Sequence, residues 1–221
     1  MSATTTTTTA RSGRGLALKE IVLVVVLGVV FGFLYWVFVQ AWIGLQVAMG
    51  PAGDLAQHLL LGSWLLVAPI AITIIRRPGV GVLAEVLASV IEVVFLGSAV
   101  GPLLIVAALL QGIGSELPFA LGRYRHFGWG RFALSGLLGA SLVFVWSAFR
   151  FGWYGQDILA LRFGLQAVSG VLLGGLLAKV IVDALLRTGV LANFAIGAVD
   201  GGGDREDDGG RAGAAPVRRE R

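Results

Sequence analysis

The 221-residue sequence contains no cysteine, only two histidines and few charged residues. The lack of cysteine excludes a disulfide framework, an iron–sulfur cluster and a thiol nucleophile. Charged residues make up 14% of the chain, against roughly 25% in soluble domains, and hydrophobic residues make up 57%, against roughly 45–50%. The 33 glycines follow no three-residue period, which excludes collagen, and this density suits closely packed membrane helices. The composition indicates an integral membrane protein.

The net charge of +4 does not indicate nucleic-acid binding, because the basic residues are dispersed. Surfaces that bind nucleic acids cluster Lys and Arg on one exposed face, beside stacking aromatic residues. Here the basic residues flank apolar runs, and they are Arg11, Arg14, Lys19, Arg76, Arg77, Arg123, Arg125 and Arg131. This arrangement is typical of loops in a membrane protein, so the sequence predicts a lipid bilayer as the surroundings and no nucleic-acid partner.

Six apolar runs are long enough to cross a bilayer, which takes about 20 residues of helix. We call them spans 1 to 6, and they lie near residues 20–40, 58–75, 79–98, 101–122, 131–150 and 163–187. Span 1 is longer than the roughly 7 to 15 apolar residues of a signal peptide, and no small-residue cleavage pattern follows it. It is therefore predicted to be retained, and the fold class is an all-α bundle of six transmembrane helices.

The positive charges orient this bundle with both termini in the cytoplasm. Six spans place the N-terminus, the Arg76-Arg77 turn, the loop from Arg123 to Arg131 and the segment after Arg187 on one side of the membrane. Arg150 and Arg162 are the exceptions, because both fall in the third outer loop.

The two ends of the chain are polar and differ from the membrane domain at residues 20–190. Within residues 1–19 and 191–221, Thr4 to Thr9 and the stretch from about Gly201 to Arg221 have too little apolar content to pack. We expect both to be cytoplasmic tails, the first disordered and the second mostly so.

Three carboxylates interrupt the apolar spans. Each needs a partner, a cavity or a proton, because a charge at a helix centre costs about 2.5–3.5 kcal/mol on insertion scales. Glu85 and Glu92 lie seven residues apart on one face of span 3, and Glu116 lies on span 4 near Gln111. For Glu85 and Glu116, pairing with Lys or Arg near the cytoplasmic surface is an alternative to ligand binding. Glu92 lies nearer the outer end, where no such partner is close, and is the main candidate for a ligand group.

Aromatic residues supply the other half of a possible pocket. Trp36 and Trp64 are expected to lie deeper than the lipid headgroups, although an interfacial aromatic belt is the alternative for each. Glutamines that could join Glu92 beside these rings are Gln40, Gln46 and Gln166. An aromatic cavity with a carboxylate suits a flat ring that is cationic or bears an amine.

Two features of spans 1 and 6 favour packing between helices. Small residues recur at i, i+4 on both spans, at Gly28 and Gly32 and at Gly170 and Gly174, and this spacing lets a helix touch another span or a partner subunit. On span 6, Lys179 and Asp183 have the spacing of a helical ion pair and are expected to bind each other.

The sequence does not indicate enzyme chemistry. His58 and His126 are expected on opposite sides of the membrane and so cannot share a metal ion. The chain has no nucleophile or zinc-protease motif and no nucleotide-binding loop. We therefore predict no catalytic residue, metal or cofactor, and no use of ATP by the chain itself.

Several short motifs occur in order along spans 2 to 4. They are Arg76-Arg77-Pro78-Gly79, Glu85 and Glu92, Gly97-Ser98, Gln111-Gly112-Ile113-Gly114-Ser115-Glu116-Leu117-Pro118-Phe119 and Tyr124-Arg125, with Leu61-Gly62-Ser63-Trp64 upstream. Together they resemble the YkoE family of substrate-binding (S) components of energy-coupling factor (ECF) transporters. The resemblance extends over about residues 20–190.

This resemblance implies a six-helix subunit that captures a vitamin from outside the cell, either thiamin or its hydroxymethylpyrimidine precursor. It also implies a transmembrane coupling protein and two cytoplasmic ATPase subunits as partners. The residues expected to bind the ligand are Glu92, Glu116, Gln111, Trp36 and Trp64, with Glu85 as a weaker candidate. Small residues on the first helix of S components contact the coupling protein, and they correspond here to Gly28 and Gly32, with glycine in place of the usual alanine.

Two alternatives stay open at this point. One is a transporter or channel for a different solute. The other is a membrane scaffold that binds no small molecule.

Overall fold

The structure is a computed structural model that describes residues 15–192 and 194–196. Within these ranges it has six helical spans and no β-strand. The spans are Leu18–Met49, Ala52–Ile75, Val80–Val90 continued by Ile91–Phe95, Leu103–Leu121, Trp129–Arg150 and Leu159–Arg187. The all-α fold class is confirmed. Five of the spans are long and apolar enough to cross a membrane, and span 3 is shorter than the other five.

Span 1 continues to Met49, well past the predicted end at residue 40. No proline interrupts the chain before Pro51, so nothing stops the helix where the strongly apolar run ends. The outer part of this helix is consequently available to build a site above the membrane core.

Span 2 is the central helix of the bundle and is irregular. An α-helical segment at Ala56–Leu60 is followed by a 3₁₀ segment at Leu61–Leu65 and by an α-helix at Val67–Ile75. Every residue of Val67–Ile75 is buried. A helix that is apolar on all sides is expected in such a central position.

Glycines let the spans approach closely. A Cβ atom on Gly32 would lie 2.7 Å from the Ala88 carbonyl oxygen of span 3, and one on Gly28 would lie 2.6 Å from Leu87 Cγ. Both glycines therefore serve packing inside the chain. Both face span 3 here, and the expectation that they contact the coupling protein stays a prediction.

Span 6 is packed in the same way. A Cβ on Gly170 would lie 2.6 Å from Ala140 Cβ of span 5, and one on Gly174 would lie 2.7 Å from Leu65 Cβ of span 2. The eight residues Gly170–Leu177 form a π-helix at this crossing. Small residues on span 6 thus also allow close packing between spans of the same chain.

Side-chain contacts fix the cytoplasmic end of the bundle. Arg77 Nε lies 3.1 Å from Glu20 Oε1, which ties the turn between spans 2 and 3 to the start of span 1. Lys179 and Asp183 form the predicted ion pair.

Leu191 and Ile196 are buried in the core, so the packed domain extends beyond residue 190. Span 1 begins at Leu18, within the first predicted tail, and residues 1–14, 193 and 197–221 of the two tails lie outside the described residues.

Candidate functional site

A cavity of about 110 Å³ opens between the outer parts of spans 1, 2, 4 and 5. It is somewhat smaller than the engineered protein cavity of roughly 150 Å³ that takes up benzene, so its scale is that of one aromatic ring. Aliphatic side chains form much of its wall. Its aromatic and polar lining consists of Trp42, Trp64, Trp146, Phe151, Gln57, Gln111, Ser147 and Arg150.

Helical periodicity decides which residues of span 1 reach the cavity. Tyr35, Val39 and Trp42 follow i, i+4, i+7 spacing and share the inward face, with Val39 and Trp42 in the cavity wall. Trp36 lies on a different face, where it stacks on Phe33 at 6.2 Å between ring centroids. Trp36 therefore does not line the cavity. Trp42 occupies the position in the cavity wall that was predicted for Trp36.

The 3₁₀ segment of span 2 places Trp64 in the wall as predicted. Residues i and i+3 of a 3₁₀-helix eclipse each other, so Leu61 and Trp64 face the cavity together. The Trp64 ring is fixed by an edge contact with Phe38, at 5.6 Å between centroids.

Gln111 provides the deepest polar group of span 4 in the wall. It follows Leu104 and Ala107 on one helical face, and its side chain is buried. Its amide makes no hydrogen bond to any residue of the described chain. A donor and an acceptor are therefore available to a bound molecule.

Two tryptophans of the wall bury their indole N–H groups. Nε1 of Trp42 makes no hydrogen bond among the described residues, and Nε1 of Trp64 lies beside the Glu92 carboxylate, to which it can donate. Neither nitrogen exposes surface to the cavity, so these tryptophans present their rings, and not their N–H groups, to its interior.

Glu92 lies behind this wall, in the π-helical segment Ile91–Phe95. It is fully buried, and its Oε1 accepts a hydrogen bond of 2.8 Å from Ser98 Oγ. Its Oε2 makes no hydrogen bond of regular geometry, but the indole N–H of Trp64 lies close enough to donate to the carboxylate. Short π-helical segments often occur at functional sites, but Glu92 itself does not reach the cavity surface.

The Glu85 carboxylate is hydrogen-bonded to groups in the protein interior and does not line the cavity. Its carboxylate accepts hydrogen bonds of 3.3 Å from the Tyr35 hydroxyl and from the Ala68 backbone N–H. The Tyr35 oxygen in turn accepts one from Val67 N–H, also at 3.3 Å. Glu85 and Tyr35 thus cap the start of the Val67–Ile75 helix, whose first N–H groups would otherwise lack partners.

Glu116 lies at the cytoplasmic end and lines no part of the cavity. It accepts hydrogen bonds from the backbone N–H groups of Gly79 and Val82, at the start of span 3, and from the Tyr124 hydroxyl at 2.7 Å. It therefore caps span 3, where a carboxylate also interacts favourably with the helix dipole. Burial, together with the Glu116 hydrogen bond and charge, raises the pKa of Tyr124, so the phenol stays protonated and donates.

A polar network at the outer end connects spans 2 and 6. Arg162 Nη1 lies 2.6 Å from Asp54 Oδ2 and 3.1 Å from His58 Nε2, and His58 Nδ1 lies 2.8 Å from Gln166 Oε1. Because guanidinium only donates, His58 Nε2 accepts and Nδ1–H donates to Gln166. Gln57 of the cavity wall donates to Asp54 at 2.7 Å, which links the network to the cavity.

Only some of these residues were indicated by sequence patterns. Gln166 belongs to the outer network, and neither Gln40 nor Gln46 lines the cavity. Arg150 and Arg162, the two exceptions to the charge rule, both lie in this outer region. The inward face of span 1 could have been found from its spacing, whereas the pairing of His58 with a residue 104 positions away has no sequence signal.

An all-helical membrane bundle with a ring-sized cavity open to the outside fits the class of substrate-binding transporter subunits. Residues 19–142 match the family model described as the permease component of an ABC-type cobalt transport system. A Bacillus subtilis (strain 168) protein, provisionally named HMP/thiamine permease protein YkoE, is 33% identical over 181 residues, covering 81% of this chain and 89% of its own. A crystal structure of an S-component of ECF transporter aligns with a TM-score of 0.78 at 31% identity, covering 86% of this chain and 95% of that chain.

The chain belongs to the YkoE family of S components of ECF transporters. It is a multi-pass membrane protein and a substrate-binding transporter subunit, and the proteins it matches are transporter components, not enzymes.

Proposed function

We propose that this protein captures an aminopyrimidine vitamin, thiamin or its hydroxymethylpyrimidine precursor, from outside the cell. The observation that carries the proposal is the ring-sized cavity with three tryptophans in its wall, together with Gln111, whose amide bonds to no described residue. The name of the Bacillus relative, an HMP/thiamine permease, supports the same ligand class.

The lining suits the edge and the face of an aminopyrimidine. Its exocyclic amine and adjacent ring nitrogen form a donor and acceptor pair, which an amide such as that of Gln111 matches with two hydrogen bonds, as Gln does with adenine in DNA. The indole faces cover the ring by stacking.

Glu92 is the proposed anionic anchor. Its Oε2 lies beside the indole of Trp64, which forms part of the cavity wall. Ligand binding that displaces this indole brings the carboxylate to the amine or the thiazolium, and charge-assisted hydrogen bonds of this kind are among the stronger polar contacts. Glu85 and Glu116 are satisfied elsewhere and are left out of the proposed site.

Transport itself is proposed to require partners. The chain has no nucleotide-binding motif, so a transmembrane coupling protein and two cytoplasmic ATPase subunits supply the energy in this proposal.

The test is a titration of the purified protein with thiamin and with hydroxymethylpyrimidine, followed by tryptophan fluorescence. We expect saturable, submicromolar quenching by at least one of them, because three of the six tryptophans line the cavity. Trp64→Phe should reduce the quenching, and Trp36→Phe, outside the cavity, should leave it intact. No response to either ligand in folded protein would refute vitamin capture and favour another solute or a scaffold.

The geometry does not favour cobalt as the ligand, despite the name of the matching family model. The described residues contain no group of three or more His, Cys, Asp or Glu that could hold a metal ion.

A further inference from the structure

Arg150 brings a positive charge to the cavity at the outer end of span 5. Its guanidinium carbon lies 5.4 Å from the ring centroid of Trp146 and 5.0 Å from that of Phe151. These aromatic contacts orient the side chain without using its N–H donors. Arg150 makes no hydrogen bond and no ion pair to any described residue.

Neighbouring carboxylates do not neutralise this charge. Asp54 is paired with Arg162 at 2.6 Å, and the described residues that line the cavity include no Asp or Glu. Asp157 lies in the same outer loop, and no ion pair joins it to Arg150 in the described structure. The outer part of the cavity therefore has a net positive charge.

We propose that Arg150 makes this part of the cavity a phosphate subsite, so that the protein also binds phosphate monoesters of its aminopyrimidine ligand. The proposal rests on the function proposed above. The ring occupies the inner part beside Gln111, and a phosphate on the ligand's alcohol reaches the guanidinium. A guanidinium presents paired donors whose spacing matches two phosphate oxygens.

Ser147 is placed to assist. It precedes Arg150 by three residues on the same helical face, and both side chains line the cavity. Its hydroxyl makes no hydrogen bond with another described side chain, so it can donate to a third phosphate oxygen.

A phosphate at this position can come from a soluble ester or from the headgroup of an outer-leaflet lipid. The cavity lining favours the ester, because Arg150 shares it with the aromatic residues and Gln111. The experiment must nevertheless separate the two sources.

The test compares ligand pairs that differ only by the phosphate: thiamin with thiamin monophosphate, and hydroxymethylpyrimidine with its phosphate ester. Dissociation constants are measured by calorimetry in lipid-free detergent and phosphate-free buffer. We expect the wild-type protein to bind each ester at least as tightly as its parent. Arg150→Gln should weaken ester binding about tenfold and parent binding less than threefold. Arg150→Lys should be intermediate, and Arg125→Gln, on the cytoplasmic side, should match the wild type.

Several outcomes would overturn the proposal. If the parents bind and Arg150→Gln leaves the ratio of ester to parent affinity unchanged, the subsite is refuted and the proposed function stands. If none of the four ligands binds to folded protein, both are refuted. A third outcome is an unchanged ratio of ester to parent affinity in detergent, while vesicles of phosphatidylcholine with phosphatidylglycerol stabilise the wild type but not Arg150→Gln. In that case Arg150 binds a lipid headgroup instead.

Discussion

Glu85 and Glu92 lie on the same helix, but their surroundings differ. Glu85 accepts from a phenol and a backbone amide of the packed interior, whereas Glu92 accepts from Ser98 and lies beside the indole of Trp64 in the cavity wall. Because of this position next to the cavity, Glu92 and not Glu85 is the carboxylate that we propose for ligand binding.

At the residue scale we predict that Glu92→Gln weakens thiamin binding at least tenfold, about 1.4 kcal/mol. The substitution keeps the shape of the side chain and removes the charge that attracts a cationic or amine-bearing ring. Calorimetric titration of the purified variant measures the change. An unchanged dissociation constant would remove Glu92 from the site.

The matched change on the same helix is Glu85→Met, which we predict to lower the stability of the protein without weakening ligand binding. It leaves the Tyr35 hydroxyl and the Ala68 N–H without an acceptor, at a cost of about 1–3 kcal/mol each. Thermal unfolding in detergent should show a lower Tm, and titration of the folded fraction should give the wild-type affinity. A large affinity loss at unchanged Tm would place Glu85 in the site.

How far single residues could be predicted depended on helical register. Trp64 and Gln111 line the cavity as expected. Trp36 does not, because one residue turns a side chain by about 100° around a helix, and depth alone does not specify that angle. Glu116 was expected at the ligand but binds backbone amides 34 and 37 positions away, which hydropathy cannot reveal.

At the scale of elements, spans 1 and 3 touch through Gly32. We predict that Gly32→Ala destabilises the protein by about 1–3 kcal/mol, because the new methyl would lie 2.7 Å from the Ala88 carbonyl oxygen, and backbone would have to move. Gly44→Ala is the control on the same helix, since a Cβ there meets nothing within 4 Å. Thermal unfolding of both variants gives the comparison, and equal Tm values would contradict the close approach.

Span 3 depends on a cap from another element. We predict that Tyr124→Phe lowers the unfolding free energy by about 1.5–3 kcal/mol, because the phenol donates to the charged Glu116 that caps the span. The measurement is thermal unfolding with titration of the ligand as a control, since this cluster lies at the cytoplasmic end. An unchanged Tm would show that Glu116 caps the helix without help from Tyr124.

The elements themselves were predictable from hydropathy, and their irregularities were not. Six apolar runs identified six helices, and the basic turns oriented them. The 3₁₀ segment Leu61–Leu65 and the π-helices Ile91–Phe95 and Gly170–Leu177 carry no hydropathy signal. They arise where one span packs against another, so they depend on contacts between residues distant in sequence.

At the scale of the whole molecule, the two ends of the bundle differ. The outer end contains the cavity and the polar network that joins Asp54, Arg162 and His58. The cytoplasmic end contains turns fixed by Glu116 and by the Arg77–Glu20 ion pair. The cavity proposed to capture the ligand and the helix cap formed by Glu116 therefore lie at opposite ends of the molecule.

This separation predicts what the chain does alone. Reconstituted by itself in liposomes, it should bind labelled thiamin or hydroxymethylpyrimidine without accumulating it, because it has a binding cavity and no nucleotide-binding motif. Adding a transmembrane coupling protein and two ATPase subunits should produce uptake that requires ATP, and Glu92→Gln should reduce this uptake at low ligand concentration. Accumulation or leakage of the solute through the chain alone, with no ATPase present, would instead identify a different transporter or a channel.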